Sequence, residues 1–280
     1  MRLSMKCRVP GGALSVLLML GVLACSVQQS EAQEEAAGAV SKPANLGELR
    51  KRELIARGHE AFLTYCSGCH GESGDGRGKA APFLDPQPRD FTSGVFKFRS
   101  TPSGALPTDA DLHRVITQGV LGTSMPAWQL LAENQRVALI AYIKTLSEEW
   151  ESDYNFEPAI AMPGAPEYVS SDDSIELGSA IYLTMGCNQC HGEGGKGDGP
   201  AAKTLFDDWG DKIEPFDFTS GALKGGASPS DVYRTFTTGL NGTPMPSYQD
   251  VLSNEDRWHL VSFILSLRAD GGASSSKEGR

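Results

Sequence analysis

The amino-acid sequence predicts an all-α protein with two tandem helical domains joined by a linker. Three observations lead to this prediction. Apolar residues recur at helical spacing in several segments, these segments occur twice in the same order, and loops rich in Gly and Pro separate them. The chain has 280 residues, of which 40% are hydrophobic and 21% are charged, and this suits a globular protein with two domains of ordinary size.

The N-terminus has the pattern of an export signal. Basic residues precede an apolar run over 13–23, which is too short to span a bilayer. The run ends in Val-Leu-Ala-Cys at Cys25, which resembles a bacterial lipobox. We therefore predict a lipoprotein signal peptide over 1–24, a lipidated Cys25 and a tether over 25–46, with the protein anchored on the periplasmic side of a bacterial membrane. The alternative is plain cleavage at this small-residue site.

An internal repeat defines the domains. Four blocks recur in the same order, and the offset between them varies, which places insertions and deletions in loops. The paired blocks are 66–71 with 187–192, 91–94 with 218–221, 117–126 with 237–246, and 139–146 with 260–267. These pairs predict a first domain over 47–149, a linker over 150–173, a second domain over 174–269 and a disordered tail over 270–280.

Helical elements follow one another in the same order in both copies. Each domain begins with a helix that leads into a cysteine motif, continues with a long loop and a short middle helix, and closes with an amphipathic helix. The predicted helices cover 49–65, 111–116 and 133–146 in the first domain and 174–182, 231–236 and 254–267 in the second.

Each domain carries a Cys-x-x-Cys-His motif. The residues are Cys66, Cys69 and His70 in the first domain and Cys187, Cys190 and His191 in the second. This spacing is typical of covalent attachment of a c-type haem, with the histidine as an iron ligand. A zinc site is the alternative, but two cysteines and one adjacent histidine do not complete four ligands. A thiol redox pair normally lies in a thioredoxin-like βαβ pattern, which this sequence lacks. We predict two covalently bound haem c groups.

A methionine is repeated at the same place in both domains. Met125 and Met245 each lie in a Gly-Thr-x-Met-Pro loop between helices. The alternative is a core filler, because methionine commonly fills gaps in apolar cores. We predict that both are sixth iron ligands opposite the histidines. Ligation by His and Met raises the reduction potential and fills both axial positions, which leaves no catalytic residue to assign.

The charge of the chain excludes one class of partner. The formal net charge is −10 at pH 7, whereas nucleic-acid binding needs clustered Lys and Arg, so we predict no nucleic-acid partner. An acidic surface suits a basic redox protein that docks transiently. Three cations, Lys97, Arg99 and Lys224, are candidates to neutralise the haem propionates.

The residues above resemble class I c-type cytochromes, and specifically the dihaem type with two fused domains in a bacterial lipoprotein. The resemblance covers 47–149 and 174–269. It implies a helical domain in which the first and last helices cross, with the aromatic residues Tyr142 and Phe263 in the last helix. It also implies that the carbonyls of Pro82 and Pro200 accept the hydrogen bond of the haem-ligating histidines.

The resemblance implies single-electron transfer between periplasmic and membrane redox partners of a respiratory chain. The expected partners are a membrane respiratory complex or a periplasmic dehydrogenase. The protein is then an electron carrier rather than an enzyme, although it can be a subunit of an oxidoreductase complex. The alternative is a dihaem oxidoreductase, peroxidase-like or thiosulfate-oxidising, which needs one substrate-accessible haem. A haem-based sensor is the third possibility, and it would usually carry an additional signalling domain.

Overall fold

The computed structural model describes residues 46–221 and 223–274. The predicted signal peptide over 1–24, the lipidated Cys25 and nearly all of the tether lie outside the described residues. The chain divides into two units, of which Met1–Arg50 is one and Lys51–Arg280 is the other. Apart from residues 47–50, both repeated domains lie in the second unit, and the described part of the first unit is the opening stretch of a helix.

The described residues are helical, as the sequence predicted, and they contain no strand. An isolated bridge joins Phe206 and Lys212. The helices of the first domain are α1 (Leu46–Tyr65), α2 (Ser67–His70), α3 (Asp109–Gln118) and α4 (Glu133–Ile143). Those of the second domain are α5 (Asp172–Thr184), α6 (Asn188–His191), α7 (Pro229–Thr238) and α8 (Asn254–Ser274). Short 3-10 helices cover Ala81–Phe83, Glu148–Glu151, Asp153–Asn155, Ala202–Thr204 and Phe218–Ser220.

In each domain the first and last long helices cross in direct contact. A side chain at Gly58 in α1 would overlap the carbonyl of Ala138 in α4, and a side chain at Gly178 in α5 would overlap that of His259 in α8. Only glycine allows the two backbones to approach this closely. The crossing expected from the family resemblance is therefore present in both domains.

Aromatic pairs close the crossing in both cores. In the first domain the rings of Phe62 and Tyr142 lie 5.2 Å apart, and in the second those of Tyr182 and Phe263 lie 5.1 Å apart. Phe62 and Tyr182 are fully buried. These pairs join the first helix to the last and hold the cysteine motif, which follows the first helix directly, against the core.

The middle helices α3 and α7 begin with the same cap. The hydroxyl of Thr108 accepts from the N–H of Asp111, whose carboxylate in turn accepts from the N–H of Thr108. Ser228 and Asp231 repeat this capping box in α7. The cap fixes where each middle helix starts. Each helix ends before a glycine, Gly119 or Gly239, with a φ of 68° or 66°, just before the methionine loop.

A buried arginine joins the two domains. The guanidinium of Arg99 donates to the carbonyls of Thr238, at 2.7 Å, and Gly239, at 3.3 Å, at the end of α7, and to Pro102 in its own domain at 3.1 Å. Its exposed fraction is 1%. Arg99 is therefore committed to backbone carbonyls, so the expectation that it neutralises a haem propionate is wrong.

The predicted linker lies along both domains. The N–H of Leu106 donates to the carbonyl of Asn155 at 3.0 Å, and that of Ile160 donates to Ser100 at 2.8 Å. At the other end, the N–H of Ser170 donates to the hydroxyl of Ser262 in α8 at 3.1 Å.

The predicted tail differs from the structure at its start. Helix α8 continues to Ser274, past Gly271 and Gly272, so the tail predicted from 270 begins inside a helix. None of the helices in the described part of the chain combines the length and the apolarity needed to cross a membrane.

Candidate haem sites

The Cys-x-x-Cys-His motif of the first domain forms one tight helical turn. Helix α1 ends at Tyr65, and the N–H of Cys66 still donates to the carbonyl of Phe62 at 2.8 Å. The N–H of His70 then donates to the carbonyl of Cys66 at 2.9 Å. This turn carries both cysteines and the histidine within one short element, as attachment to one flat cofactor requires.

The motif of the second domain has the same turn with one adjustment before it. The N–H of His191 donates to the carbonyl of Cys187 at 2.9 Å, as in the first domain. The N–H of Cys187 donates to Tyr182 at 3.0 Å, one residue further back than in the first domain. The additional residue is Gly186, which has a φ of 71°. Glycine absorbs this insertion because its backbone enters the left-handed region without strain.

Both histidines are oriented by a backbone carbonyl. The Nδ1 atom of His70 lies 2.9 Å from the carbonyl oxygen of Arg89, and that of His191 lies 3.1 Å from the carbonyl oxygen of Phe216. A carbonyl only accepts, so the proton is on Nδ1 and the lone pair is on Nε2. Nε2 is then the nitrogen available to a metal.

The expectation that Pro82 and Pro200 provide these carbonyls is wrong. The accepting carbonyl instead comes one residue after a different proline, Pro88 or Pro215. The loop that carries it passes close to the histidine because Gly76 and Gly197 leave room. A side chain at either glycine would overlap the carbonyl of Pro88 or Pro215. Contact between loops, rather than distance from the motif along the chain, determines the acceptor.

A phenylalanine stacks on each histidine. The rings of Phe91 and His70 lie 4.5 Å apart with an interplanar angle of 23°, and those of Phe218 and His191 lie 4.5 Å apart at 22°. The stacking and the Nδ1 hydrogen bond together restrict rotation of the imidazole. The plane of each candidate ligand is therefore set before any cofactor binds.

The environment keeps both imidazoles neutral. Burial lowers the pKa of His70. The hydrogen bond to the Arg89 carbonyl opposes this shift, and the positive charge of the Arg89 guanidinium adds to it. Burial also lowers the pKa of His191, again opposed by a hydrogen bond, to the Phe216 carbonyl. A neutral imidazole is the form that binds metals.

The two methionine loops have the same backbone pattern. The N–H of Val120 donates to the carbonyl of Met125 at 3.1 Å, and the N–H of Met125 donates to the hydroxyl of Thr123 at 3.1 Å. In the second domain, Leu240 and Thr243 make the same bonds to Met245, at 3.1 Å and 3.3 Å. Both methionines are half-buried.

An aromatic residue three positions after each methionine contacts the end of the first helix or the cysteine motif. The rings of Trp128 and Tyr65 lie 5.4 Å apart, and Tyr248 belongs to the buried core against which Cys187 packs. The structure thus brings the methionine loop and the cysteine motif of each domain to the same region, although they are far apart in sequence.

None of the four cysteines of the motifs forms a disulfide. Burial raises the pKa of Cys66 to about 12, with a further contribution from Cys69. Burial also raises the pKa of Cys187, although the hydroxyl of Tyr248 opposes this. Within the described ranges no group of three His, Cys, Asp or Glu side chains is arranged to hold a metal ion. Neutral paired thiols beside a free imidazole nitrogen fit thioether attachment of a haem better than zinc.

Sequence reasoning missed the carbonyls of Arg89 and Phe216, and it did not assign the stacking role of Phe91 and Phe218. The signal was present, because Pro-x-Asp-Phe-Thr-Ser-Gly occurs at 88–94 and again at 215–221. The Asp90 carboxylate accepts from the N–H and the hydroxyl of Thr92 and so shapes this loop. The repeated segment is therefore a support for the histidine.

Comparison with known proteins agrees with this organisation. A family model described as Cytochrome c matches residues 175–268. A second one, described as Cytochrome C oxidase, cbb3-type, subunit III, matches residues 53–143. No curated protein matches the chain.

A solved structure is similar over most of the chain. It is a chain of the Kuenenia stuttgartiensis reducing HAO-like protein complex Kustc0457/Kustc0458, with 45% sequence identity and a TM-score of 0.73. The similarity covers 75% of this chain and 95% of that one. This chain therefore belongs to the c-type cytochromes, and its two haem-binding domains in tandem each carry one covalently bound c-type haem.

Proposed function

We propose that this protein is a dihaem electron carrier of a respiratory chain, exported and anchored by lipid at Cys25 on the periplasmic side of a bacterial membrane. The observation that supports it is the repeated donor set, in which each domain offers a free imidazole nitrogen and a methionine sulfur. With both axial positions occupied, an iron exchanges electrons and offers no coordination position to a substrate.

Each proposed domain, 47–149 or 174–269, binds one haem in the same way, and 150–173 joins them. Two cysteines form thioethers, a histidine is the fifth ligand and a methionine the sixth. In chain order these residues are Cys66, Cys69, His70 and Met125, followed by Cys187, Cys190, His191 and Met245. The bound haem iron supplies a one-electron redox couple.

The protein residues around each histidine keep the ligand field constant. The carbonyl of Arg89 or Phe216 holds the proton on Nδ1, and Phe91 or Phe218 prevents the ring from turning. Fixed ligands change little between the two oxidation states, so little reorganisation accompanies electron transfer. This is the property that a carrier needs.

The partner is proposed to be a larger redox protein. The similar Kuenenia stuttgartiensis chain is part of a reducing HAO-like protein complex, which favours association of this chain with an oxidoreductase as an electron-transfer subunit. The net charge of −10 favours a basic docking surface on that partner. A membrane respiratory complex and a periplasmic dehydrogenase are the two candidate classes.

The test is an anaerobic optical redox titration of the purified holoprotein, followed by addition of carbon monoxide to the reduced form. Two low-spin haems at positive potential that do not bind carbon monoxide are the expected result. A haem that binds carbon monoxide, or that titrates at much lower potential, would show that one methionine is not a ligand. That result would support the alternative, a dihaem oxidoreductase with one accessible haem.

A further inference from the structure

The two domains differ at the residue whose carbonyl orients the histidine. In the first domain this residue is Arg89, and in the second it is Phe216. The surrounding Pro-x-Asp-Phe-Thr-Ser-Gly segment is otherwise identical at its fixed positions. The duplication thus provides an internal comparison in which one site has a cation beside the ligand and the other has an apolar ring.

The side chain of Arg89 is held close to the first site by the second domain. Its guanidinium carbon lies 4.3 Å from the centre of the Trp209 ring, a distance typical of a cation–π interaction. Trp209 in turn packs on Gly242 of the Met245 loop, where any side chain would overlap its ring. The positive charge of Arg89 acts on the imidazole of His70.

The carboxylates near Arg89 act on its charge from a distance rather than in a contact ion pair. Within residues 46–221 and 223–274 no acidic side chain forms an ion pair with it, and the carboxylates that act on it from further away are Asp207, Asp90 and Asp208. Asp90 has an equivalent in the second domain, Asp217. Asp208 is exposed, so water screens it.

The remaining carboxylate, Asp207, is the one that acts most strongly on Arg89, and backbone donors hold it in its own loop. Its Oδ1 atom accepts from the N–H of Trp209 at 3.1 Å and of Asp211 at 3.0 Å. Two cations near the sites are related by the repeat, since Lys97 and Lys224 follow the two repeated Phe-Thr-Ser-Gly blocks at the same distance. Each domain therefore has one such lysine, whereas only the first domain has a cation at the position of Arg89.

We propose that Arg89 makes the haem of the first domain the higher in potential of the two, so that this haem is reduced first. A fixed positive charge favours the reduced iron, because the reduced site carries one positive charge less than the oxidised site. The inference rests on the proposed function, in that it takes both haems to have the same His and Met ligands. It assigns an order to two sites that are otherwise alike.

The test compares redox titrations of the wild-type holoprotein with those of Arg89→Gln and Arg89→Lys. Both substitutions leave the carbonyl of residue 89, and so the hydrogen bond to His70, in place. Arg57→Gln is the matched control, because it removes the same charge from an exposed position on α1. Titrations at pH 6 keep Lys97 charged, since burial lowers its pKa only to about 8.

The expected result is two resolved waves in the wild type, of which only the higher one moves to lower potential in Arg89→Gln. Arg89→Lys and Arg57→Gln should leave both waves near their wild-type positions. The inference is overturned by coincident wild-type waves, by a shift of the lower wave or of both, by no shift, or by an equal shift in Arg89→Lys. Failure of the proposed function can be distinguished from failure of this inference, because the reduced wild-type protein would then bind carbon monoxide.

Discussion

The capping boxes of the two middle helices differ in how many donors their carboxylates receive. The Oδ2 atom of Asp111 accepts four hydrogen bonds between 2.8 Å and 3.0 Å, from the N–H and hydroxyl of Ser100 and of Thr108. Arg114 donates to its other oxygen at 2.9 Å. The Oδ2 atom of Asp231 accepts only the two donors of Ser228.

Substitution of each aspartate by asparagine should therefore have unequal effects on stability. Both aspartates also pair with an arginine three residues further on, Arg114 and Arg234, so these pairs do not distinguish them. Asp111 is 1% exposed, so Asp111→Asn leaves four donors around a buried side chain without a charged acceptor, which costs about 3 kcal/mol. Asp231 is more exposed and has fewer donors, so Asp231→Asn costs about 1 kcal/mol, as for loss of an ordinary cap. In a unit of this size these values correspond to falls in melting temperature of about 6–12 °C and about 2–4 °C.

Thermal unfolding of the two variants and the wild type, followed by circular dichroism at neutral pH, measures the difference. Equal falls in melting temperature, or a fall of less than about 2 °C in Asp111→Asn, would refute the assignment of the stability to this carboxylate. The unchanged haem absorption of both variants is the control that the cofactor sites are intact.

The ionisation of Asp111 should also make the stability of the protein depend on pH. Burial raises the pKa of Asp111, but the hydrogen bonds from Ser100 and Thr108 outweigh it and hold the pKa below its ordinary value. Asp111 therefore contributes to the free energy of unfolding above its unfolded pKa of about 3.9. This contribution is lost as the pH falls through the lower pKa of the folded state. The gap in melting temperature between wild type and Asp111→Asn should narrow as the solution is acidified through this range.

Three further predictions concern ligation, anchoring and the contact between domains. Met125→Ala or Met245→Ala should open one iron to carbon monoxide and lower its potential, and an optical titration in which neither changes would exclude the methionine as ligand. Cys25→Ala should move the protein from the membrane fraction to the soluble periplasmic fraction, and continued membrane association would indicate a tight integral partner instead. Arg99→Met should lower the free energy of unfolding by about 3 kcal/mol, because buried carbonyls lose their donor, and denaturant unfolding without a change in midpoint would contradict this.

Local patterns in the sequence were sufficient to predict the helices and the cysteine motifs. The predicted helices over 49–65 and 133–146 correspond to Leu46–Tyr65 and Glu133–Ile143, because apolar spacing reports which face of a helix is buried. The repeat doubled this evidence, and two family models now match the two halves separately.

Contacts between distant loops were beyond such patterns. The acceptor for His70 is 19 residues away and that for His191 is 25 residues away, so no fixed spacing after the motif identifies it. The sequence suggested Arg99 as a cation for a haem propionate, whereas its guanidinium lies against carbonyls 139 and 140 residues further along. Both contacts depend on how loops that are distant in sequence pack against one another in the folded protein.

The contact made by Arg99 also bears on proteolysis. Residues 163–165 of the predicted linker are exposed, so a protease would cut the chain there readily. The side-chain donors of Arg99 and the hydrogen bonds from Ser103 and Gly104 to Asn241 do not depend on that peptide bond. A nicked molecule would thus stay in one piece under native conditions and separate into two fragments only when denatured.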